Sequence, residues 1–277
     1  MKRILSDQNP EYKELEALNN RKTREKTGLF LAEGYHLIRE AVRSGLAVRT
    51  AYGDASLLEA DREAGRTLGR FLEECKADGI RTVLLAGPLF AKLAATETPQ
   101  GVLATVEKPP AGEASLREAV GVPGDGKRIL VLDRLQDPGN VGTLIRTADA
   151  AGFDAVLCVK GTADPYAPKV LRATQGSLFR LKFGFTEGAE ETLRVLKEAS
   201  KSVLVSDLKD ARSAYGVPMK RDFALVIGNE GGGVSEAFRN GADERVTIPM
   251  EGETESLNAS IAGAVLLFES VRQRLTE

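Results

Sequence analysis

The chain carries a single histidine, His36, among its 277 residues. That scarcity argues against a Ser–His hydrolase and against a metal centre built on imidazole. Any chemistry therefore falls to Arg, Lys, Asn, Ser or carboxylates, and no metal is expected. His36 lies in EGYHLIREAVRSG, an amphipathic pattern with Leu37, Ile38, Ala41 and Val42 inward, and reads as an ordinary helix-surface residue. Cysteine is almost as scarce. Cys75 and Cys158 are the two present, without CxxC spacing, which excludes a zinc knuckle and points to a reducing compartment. Long apolar runs are missing too: the longest, Ala264–Phe268, is far too short to span a bilayer. The opening MKRILSDQNPEYKEL has basic residues with no apolar core behind them and does not read as a signal peptide. A cytoplasmic protein without a membrane partner is expected. Charge of one sign is also lacking, with 38 Lys+Arg against 40 Asp+Glu and a formal net charge of −2. Any polyanion must then be met by a local patch, since the whole molecule exerts no pull.

What is present is the composition of a soluble globular protein, 42% hydrophobic and 28% charged, long enough for one large domain or two ordinary ones. Residues 107–126, EKPPAGEASLREAVGVPGDG, hold Pro and Gly with little periodicity apart from Leu116–Val120, and read as a connecting segment. Before it, over 1–106, strand candidates LFLAEG, AVRTAYGD, RTVLLAG and QGVLATVE alternate with helical patterns at 34–44, 56–78 and 88–95, predicting a small α/β domain. After it, over 127–277, the strand KRILVLDRL, the helix NVGTLIRTADAAG, the strand DAVLCVKG and the helix YAPKVLRATQGS open a second α/β alternation. LFRLKFGF, a helix from Glu190 to Ser200, SVLVSDL, FALVIG, ERVTIPM and a helix from about Leu257 complete it. Strands such as ILVLD and FALVIG show little polar alternation, which suits a parallel sheet covered on both faces.

Three stretches carry chemistry. In 137-DPGNVGTLIRTADAAG-152, at the carboxyl end of a strand where open α/β sheets bind ligands, Asn140 reads as a helix cap and Arg146 flanks the apolar stripe. The plainer alternative for Arg146 is a solvated pair with Asp149 at i+3. In 223-FALVIGNEGGGVSEAF-238 a buried strand breaks at Gly228 into a glycine-rich turn of the kind that lets a ligand approach the backbone and its N–H groups. Gly231-Gly232-Gly233 lacks the third glycine of the dinucleotide fingerprint, the phosphate-loop Lys and Ser/Thr are absent, and Glu230 would repel a pyrophosphate. A ligand without phosphates is expected; the alternative is a turn and nothing more. In 248-IPMEGETESLNASIAGAVLLFE-269, Ser256 reads as the cap of a small-residue helix, with Asn258 inside its first turn, where Asn is a poor helix former.

In combination these motifs resemble the SpoU (TrmH) branch of the SPOUT RNA methyltransferases. The family's three motifs match in order as Asn140…Arg146, Gly228-Asn229-Glu230-Gly231, and Ile248-Pro249-Met250…Ser256-Leu257-Asn258…Ser260. The first domain is similar, through GLFLAEGYHLIREAVRSG, to the family's ribosomal-protein-like substrate-binding domain. The resemblance implies an α/β fold whose parallel sheet is threaded into a trefoil knot, with a homodimer formed across it. Nothing in the residues alone leads there, since chains as a rule do not thread loops. It also implies S-adenosylmethionine held by Gly228, Asn229, Ile248, Leu257 and Met250, with a weaker contact at Leu208. The reaction implied is attack by a ribose 2′-hydroxyl on the sulfonium methyl, which needs alignment more than a strong base. Arg146 would meet the target nucleotide, Glu230 and Asn258 would orient it and the ribose, Ser256 would support the loop, and Asn140 would brace the site.

RNA must be met by patches: Arg21, Lys22, Arg24 and Lys26 near the start, and Lys169, Arg172 and Arg180 within 160–182, where Asp164 is the one acid. Taken alone, each is equally a solvated helix face. Ribosomal RNA, of 23S type and at a guanosine, is favoured over transfer RNA, by analogy with ribosomal members carrying the extra domain. Competing readings are a dehydrogenase, disfavoured by the missing glycine, and a non-catalytic RNA-binding module in which the motifs merely fold.

Overall fold

The computed structural model describes residues 1–60 and 63–276. These form two compact units: Met1–Pro109 with Tyr166–Phe179, and Pro110–Pro165 with Arg180–Glu277.

The chain opens with β1 (Lys2–Ile4), α1 (Pro10–Ala17), α2 (Arg21–Thr27), β2 (Leu29–Glu33), α3 (Tyr35–Arg43) and β3 (Val48–Asp54). It continues through α4 (Ala55–Glu59), α5 (Glu63–Ala77), β4 (Arg81–Leu85), α6 (Gly87–Leu93) and β5 (Val102–Glu107). The strands form one sheet in the order β1-β4-β3-β5-β2, parallel except that β5 runs against both β3 and β2. The helical pattern expected over 56–78 is observed as α4 and α5, and residues 61 and 62 within that span lie outside the described residues. The α3 stripe buries Leu37, Ile38 and Ala41, whereas Val42, expected inward, is 36% exposed. α1 and α2 start on side-chain caps, Asn9 and Asn20, each accepting from the amide two residues on.

The segment expected to be a mere connector contains α7 (Glu113–Val120), whose Leu116, Ala119 and Val120 enter the core of the second unit. Then follow β6 (Arg128–Asp133), α8 (Pro138–Ala150), β7 (Ala155–Val159), α9 (Pro168–Thr174), β8 (Lys182–Thr186), α10 (Ala189–Glu198) and β9 (Ser202–Ser206). The last elements are β10 (Arg212–Ser213), β11 (Phe223–Gly228), α11 (Glu236–Gly241), β12 (Glu244–Thr247) and α12 (Ala259–Leu275). α9 groups with the first unit, where Tyr166 and Phe179 lie against Phe30 at ring-centroid distances of 5.2 and 5.9 Å.

The second sheet is wholly parallel, in the order β10-β12-β9-β11-β6-β7-β8. β6, β7 and β11 are buried along their whole length, which is why their sequences lack polar alternation. One face packs Val131, Leu157, Val205 and Val226 against Leu116, Leu196 and Phe238 of the helices α7, α10 and α11. The other is covered by α8 and α12. The small residues of α12 serve that approach: a Cβ at Gly263 would meet Leu144 Cδ2 at 2.3 Å and Ile227 Cγ1 at 3.5 Å.

A buried cation fixes the entry to this unit. The Lys201 side chain is fully buried and its ammonium is held by Asp125 and, at 2.8 Å, by Asp222. Burial alone would raise the Asp125 carboxyl, but Lys201 and the amides of Val122 and Lys127 outweigh it and hold it at about 2. Because that value lies below the unfolded one near ~4, the stabilisation is complete above pH ~4 and is lost as pH falls through about 2. Lys201→Met is expected to destabilise the protein by about 3 kcal/mol at neutral pH, because it leaves two carboxylates facing each other without their cation. Urea unfolding of both proteins should show that difference narrowing between about pH 4 and 2.

Candidate active site

The carboxyl ends of β6, β9 and β11 and the start of α12 bring the sequence motifs together. β11 ends at Gly228 because the chain doubles back there: a Cβ would meet Val234 N at 2.1 Å and Gly233 C at 2.2 Å. The turn closes on itself, with Asn229 N donating to Gly233 O at 3.0 Å and Gly233 N to Asn229 O at 2.9 Å. Asn229 Oδ1 accepts from the amides of Gly231 and Gly232 at 3.0 and 3.1 Å, and its Nδ2 donates to Arg134 O at 2.9 Å. The glycine amides expected to face a ligand are thus taken by Asn229, which removes the nest an anion would need.

Glu230 links two motifs. Its carboxylate accepts from Gln136 N, Asp137 N and Asn140 Nδ2, each at 3.1 Å. Partial desolvation opposes its ionisation, but Asn140 and the two amides prevail and keep the carboxyl below its ordinary value. The cap of α8 is Asp137, whose Oδ1 accepts from Asn140 N at 2.8 Å with Pro138 at the first helical position. Asn140 is therefore not the cap expected from sequence. It lies in the first turn, buried, with its amide turned to Glu230.

The third motif also departs from expectation. α12 starts at Ala259, so Asn258 rather than Ser256 is its cap. Asn258 Oδ1 accepts from Ser260 N at 2.9 Å, Ser260 Oγ at 2.7 Å and Ile261 N at 3.3 Å. The poor helix propensity of Asn weighed against it inside a turn; one residue further out, the same side chain is among the best caps. Its Nδ2 has no partner among the described residues, and Asn258 does not itself line the cavity beside its neighbours Ser256 and Leu257. Ser256 is exposed and forms no hydrogen bond among the described residues.

Between these segments lies a cavity of about 340 Å³, within the ~300–1,000 Å³ range of small-molecule sites. Leu208, Gly228, Asn229, Glu230, Ser256 and Leu257 line it. Ile248 and Met250 follow β12 and are not part of that lining; Met250 is 37% exposed. Asp207 and Arg239 line it too, joined by Arg239 Nε to Asp207 Oδ2 at 2.7 Å, and sequence reasoning missed both. Asp207 had a signal, a carboxylate directly after the apolar strand SVLVS; Arg239, inside a helix, had none. Asp133 was also overlooked: fully buried at the end of β6, it accepts from Ser235 N at 2.6 Å and ties the far side of the glycine turn to the sheet.

Arg146 stands apart. It is exposed on α8, makes no hydrogen bond or ion pair among the described residues, and does not line the cavity. Within one chain it therefore does not meet Glu230 or Asn258. The alternative pairing with Asp149 is not formed either, because Asp149 holds Arg180. Of the cations expected to face RNA, Lys22, Lys26 and Lys169 are exposed with no partner among the described residues. Arg21 pairs with Glu25, and Arg172 Nη1 donates to Ala95 O at 3.3 Å. Arg24 is 3% exposed and its Nη1 donates to Leu18 O and Asn19 O at 2.7 and 2.9 Å, so it closes α1 rather than facing solvent. No cluster of His, Cys, Asp or Glu able to hold a metal occurs among the described residues.

A parallel α/β sheet with a ligand cavity at its carboxyl edge, walled by a glycine turn that has no amides to spare for phosphate, defines a class of protein that binds a non-phosphorylated small molecule. Residues 127–268 match the SpoU rRNA methylase family, and residues 9–104 match an MRM3-like substrate binding domain. The chain is 35% identical over 269 residues to the 23S rRNA (guanosine(2553)-2′-O)-methyltransferase RlmP of Bacillus subtilis, covering 97% of this chain and 98% of that one. Its structure is similar to that of an AdoMet-bound rRNA methyltransferase from Sinorhizobium meliloti, with a TM-score of 0.84, 28% identity and 98% of each chain covered. It is similar as well to the SpoU methyltransferase AviRb from Streptomyces viridochromogenes in complex with AdoMet, with a TM-score of 0.81, 32% identity, and 97% and 99% covered. The chain belongs to the SpoU rRNA methylase family.

The cap geometry yields a direct check. Asn258→Ala should lower stability by about 1 kcal/mol through loss of the α12 cap, whereas Ser256→Ala should leave it unchanged within ~0.5 kcal/mol, as read from urea denaturation of the two variants.

Proposed function

We propose that the protein is an S-adenosylmethionine-dependent RNA (ribose-2′-O)-methyltransferase acting on ribosomal RNA, of 23S type and with a guanosine as target. The observation that carries this is the meeting of the motifs: Glu230 of the second is bonded to Asn140 of the first, and its turn shares one cavity with Ser256 and Leu257 of the third. Similarity to relatives named for guanosine 2′-O-methylation of 23S rRNA supports the RNA and the base.

The cavity's donor set suits this cofactor. Its polar wall includes Asp207, Arg239, Glu230 and Ser256 beside backbone, its apolar wall is Leu208, Ile227, Leu257 and Ala262, and the glycine amides are unavailable to a phosphate. Bound S-adenosylmethionine would supply a methyl group already activated by its sulfonium charge. The protein's residues must then align the ribose oxygen and help its proton depart. Arg146 takes the nucleotide's phosphate and sugar; a guanidinium holds its proton too strongly to be an ordinary base, so its role is positioning. Asn258 offers Nδ2 to the ribose while its Oδ1 holds the helix. Glu230 sets the turn before α8, and Asn140 braces it. Gly228, Asn229 and Leu208 frame the cofactor, with Ile248 and Met250 beside it.

The same reading includes a trefoil knot in the second unit and a homodimer across it. Ile261 and Phe268 of α12, 52% and 48% exposed, support a covered face there. A second copy is also a means of bringing Arg146 to a cavity it does not line in its own chain. Residues 1–106 together with α9 serve as the RNA-binding domain, with Arg21, Lys22 and Lys26, and Lys169 and Arg172 of α9, toward the RNA backbone; 107–126 leads into the catalytic domain, to whose core it gives α7, and 127–277 apart from α9 form the rest of that domain. Cys75 and Cys158, both buried and neither in a disulfide, support a cytoplasmic location.

Incubation with labelled methyl donor and separate pools of unmodified rRNA and tRNA, followed by mapping of the alkali-resistant linkage, tests the assignment; label confined to tRNA would overturn it. Arg146→Ala is expected to lower transfer at least ~100-fold while leaving cofactor affinity within about twofold. A wild-type rate in that variant would remove Arg146 from the mechanism.

A further inference from the structure

Strand β8 is the last in the parallel sheet, and its two faces differ. On one, Gly184 lies under α7, where a Cβ would meet Leu116 Cδ1 at 2.7 Å. Side chains alternate along a strand, so Phe183 and Phe185 project together from the other. Their rings are 6.5 Å apart between centroids with planes inclined at 28°. Their neighbours in register, Val156 and Cys158, are buried, but Phe185 is 37% exposed and Phe183 is partly exposed. Cover on this face stops one strand short of the edge.

The rim of the uncovered strip carries two arginines, one of them ion-paired. Arg180, just before β8, places Nε and Nη2 on Asp149 Oδ2 at 3.0 and 2.7 Å. Asp149 belongs to α8, and Arg146 lies one turn earlier on the same helical stripe. Because α8 returns the chain from the end of β6 to the start of β7, it runs opposite to β8. Starting at the Asp149–Arg180 pair, Arg146 on the helix and the two rings on the strand therefore advance in the same direction.

Paired rings beside arginines suit a single RNA strand, whose bases stack on aromatic faces while guanidinium groups take its phosphates. We propose that Phe183 and Phe185 form a stacking platform for a base of the RNA strand that runs past Arg146. This rests on the methyltransferase reading and extends it, making the two rings positioning residues for substrate.

The test uses the full chain with a labelled, mixed-sequence single-stranded RNA, and unmodified 23S rRNA for methyl transfer. Phe183→Ala and Phe185→Ala should each weaken RNA binding roughly 5- to 100-fold, the loss of one base–aromatic stack. Phe185→Trp should retain binding, whereas Phe185→Leu, equally apolar, should not. The slope of log affinity against log salt should stay as in the wild type, since no cation is removed. KM for rRNA should rise while kcat and cofactor affinity hold. Wild-type affinity in the double alanine variant, beside active wild-type enzyme, overturns the platform alone. A loss of binding that tracks dissociation of the oligomer in size-exclusion chromatography also overturns it, because the rings then cover a second copy. A wild-type chain that methylates no rRNA removes the underlying reading as well.

Discussion

The Glu230 carboxylate is the constraint on which the site depends. It sits in the turn after β11, yet its three acceptor bonds go to the turn after β6 and the first turn of α8. Those strands are already neighbours in register, Gly228 beside Asp133. The sheet thus brings the two turns close, and Glu230 converts proximity into one fixed arrangement. Asp133 does the same from the other side through Ser235 N. Charge-assisted bonds of this kind are about twice as strong as neutral ones, and a carboxylate satisfied by amides has no need of a cation.

The same economy governs the glycine turn. Glycines at 231–233 raise the expectation of an anion nest, but Asn229 takes up their amides. What the turn offers a ligand is therefore shape: small residues, a carbonyl edge and an apolar floor. A nucleotide phosphate brought to the turn would face Glu230 and find the glycine amides already taken by Asn229. A sulfonium ligand, cationic at its reactive atom, meets no such opposition. Asn258 uses one atom of its amide to hold the helix, and the other has no partner among the described residues.

Much of the fold was legible because burial leaves its mark on composition. β6, β7 and β11 are buried on both faces and read as continuous apolar runs, from which a parallel sheet follows. β1 and α2 were not recognised. A strand as short as KRI has no periodicity, and RKTREKT shows its helix only through the Asn20 cap and Gly28 in the left-handed region. α7 was hidden by the Pro and Gly around it, although Leu116, Ala119 and Val120 have helical spacing. Within the site, the Asn140–Glu230 contact joins motifs that sequence reasoning had grouped. The exact caps were misplaced by three residues at α8 and two at α12 because Asp137, Asn140, Ser256 and Asn258 are all competent caps. Arg24 illustrates the limit of charge patterning: in a run of exposed cations, one turns inward to close a neighbouring helix, and composition does not say which.

Near-zero net charge is compatible with RNA binding because of how the cations are held. Around β8, Arg180 is paired with Asp149, Lys160 with Glu187 and Lys182 with Glu118, all at the surface. Exposed pairs of this kind contribute about 0–1 kcal/mol, so exchanging a carboxylate for a phosphate costs little and gains counterion release from the RNA. Such a surface is selective in a way a uniformly basic one is not. It does not attract polyanions at a distance, and it binds where stacking or shape brings the backbone within reach. On the proposed reading, affinity would depend less on long-range charge and more on unpaired bases, as expected for flexible, single-stranded stretches of a large folded RNA.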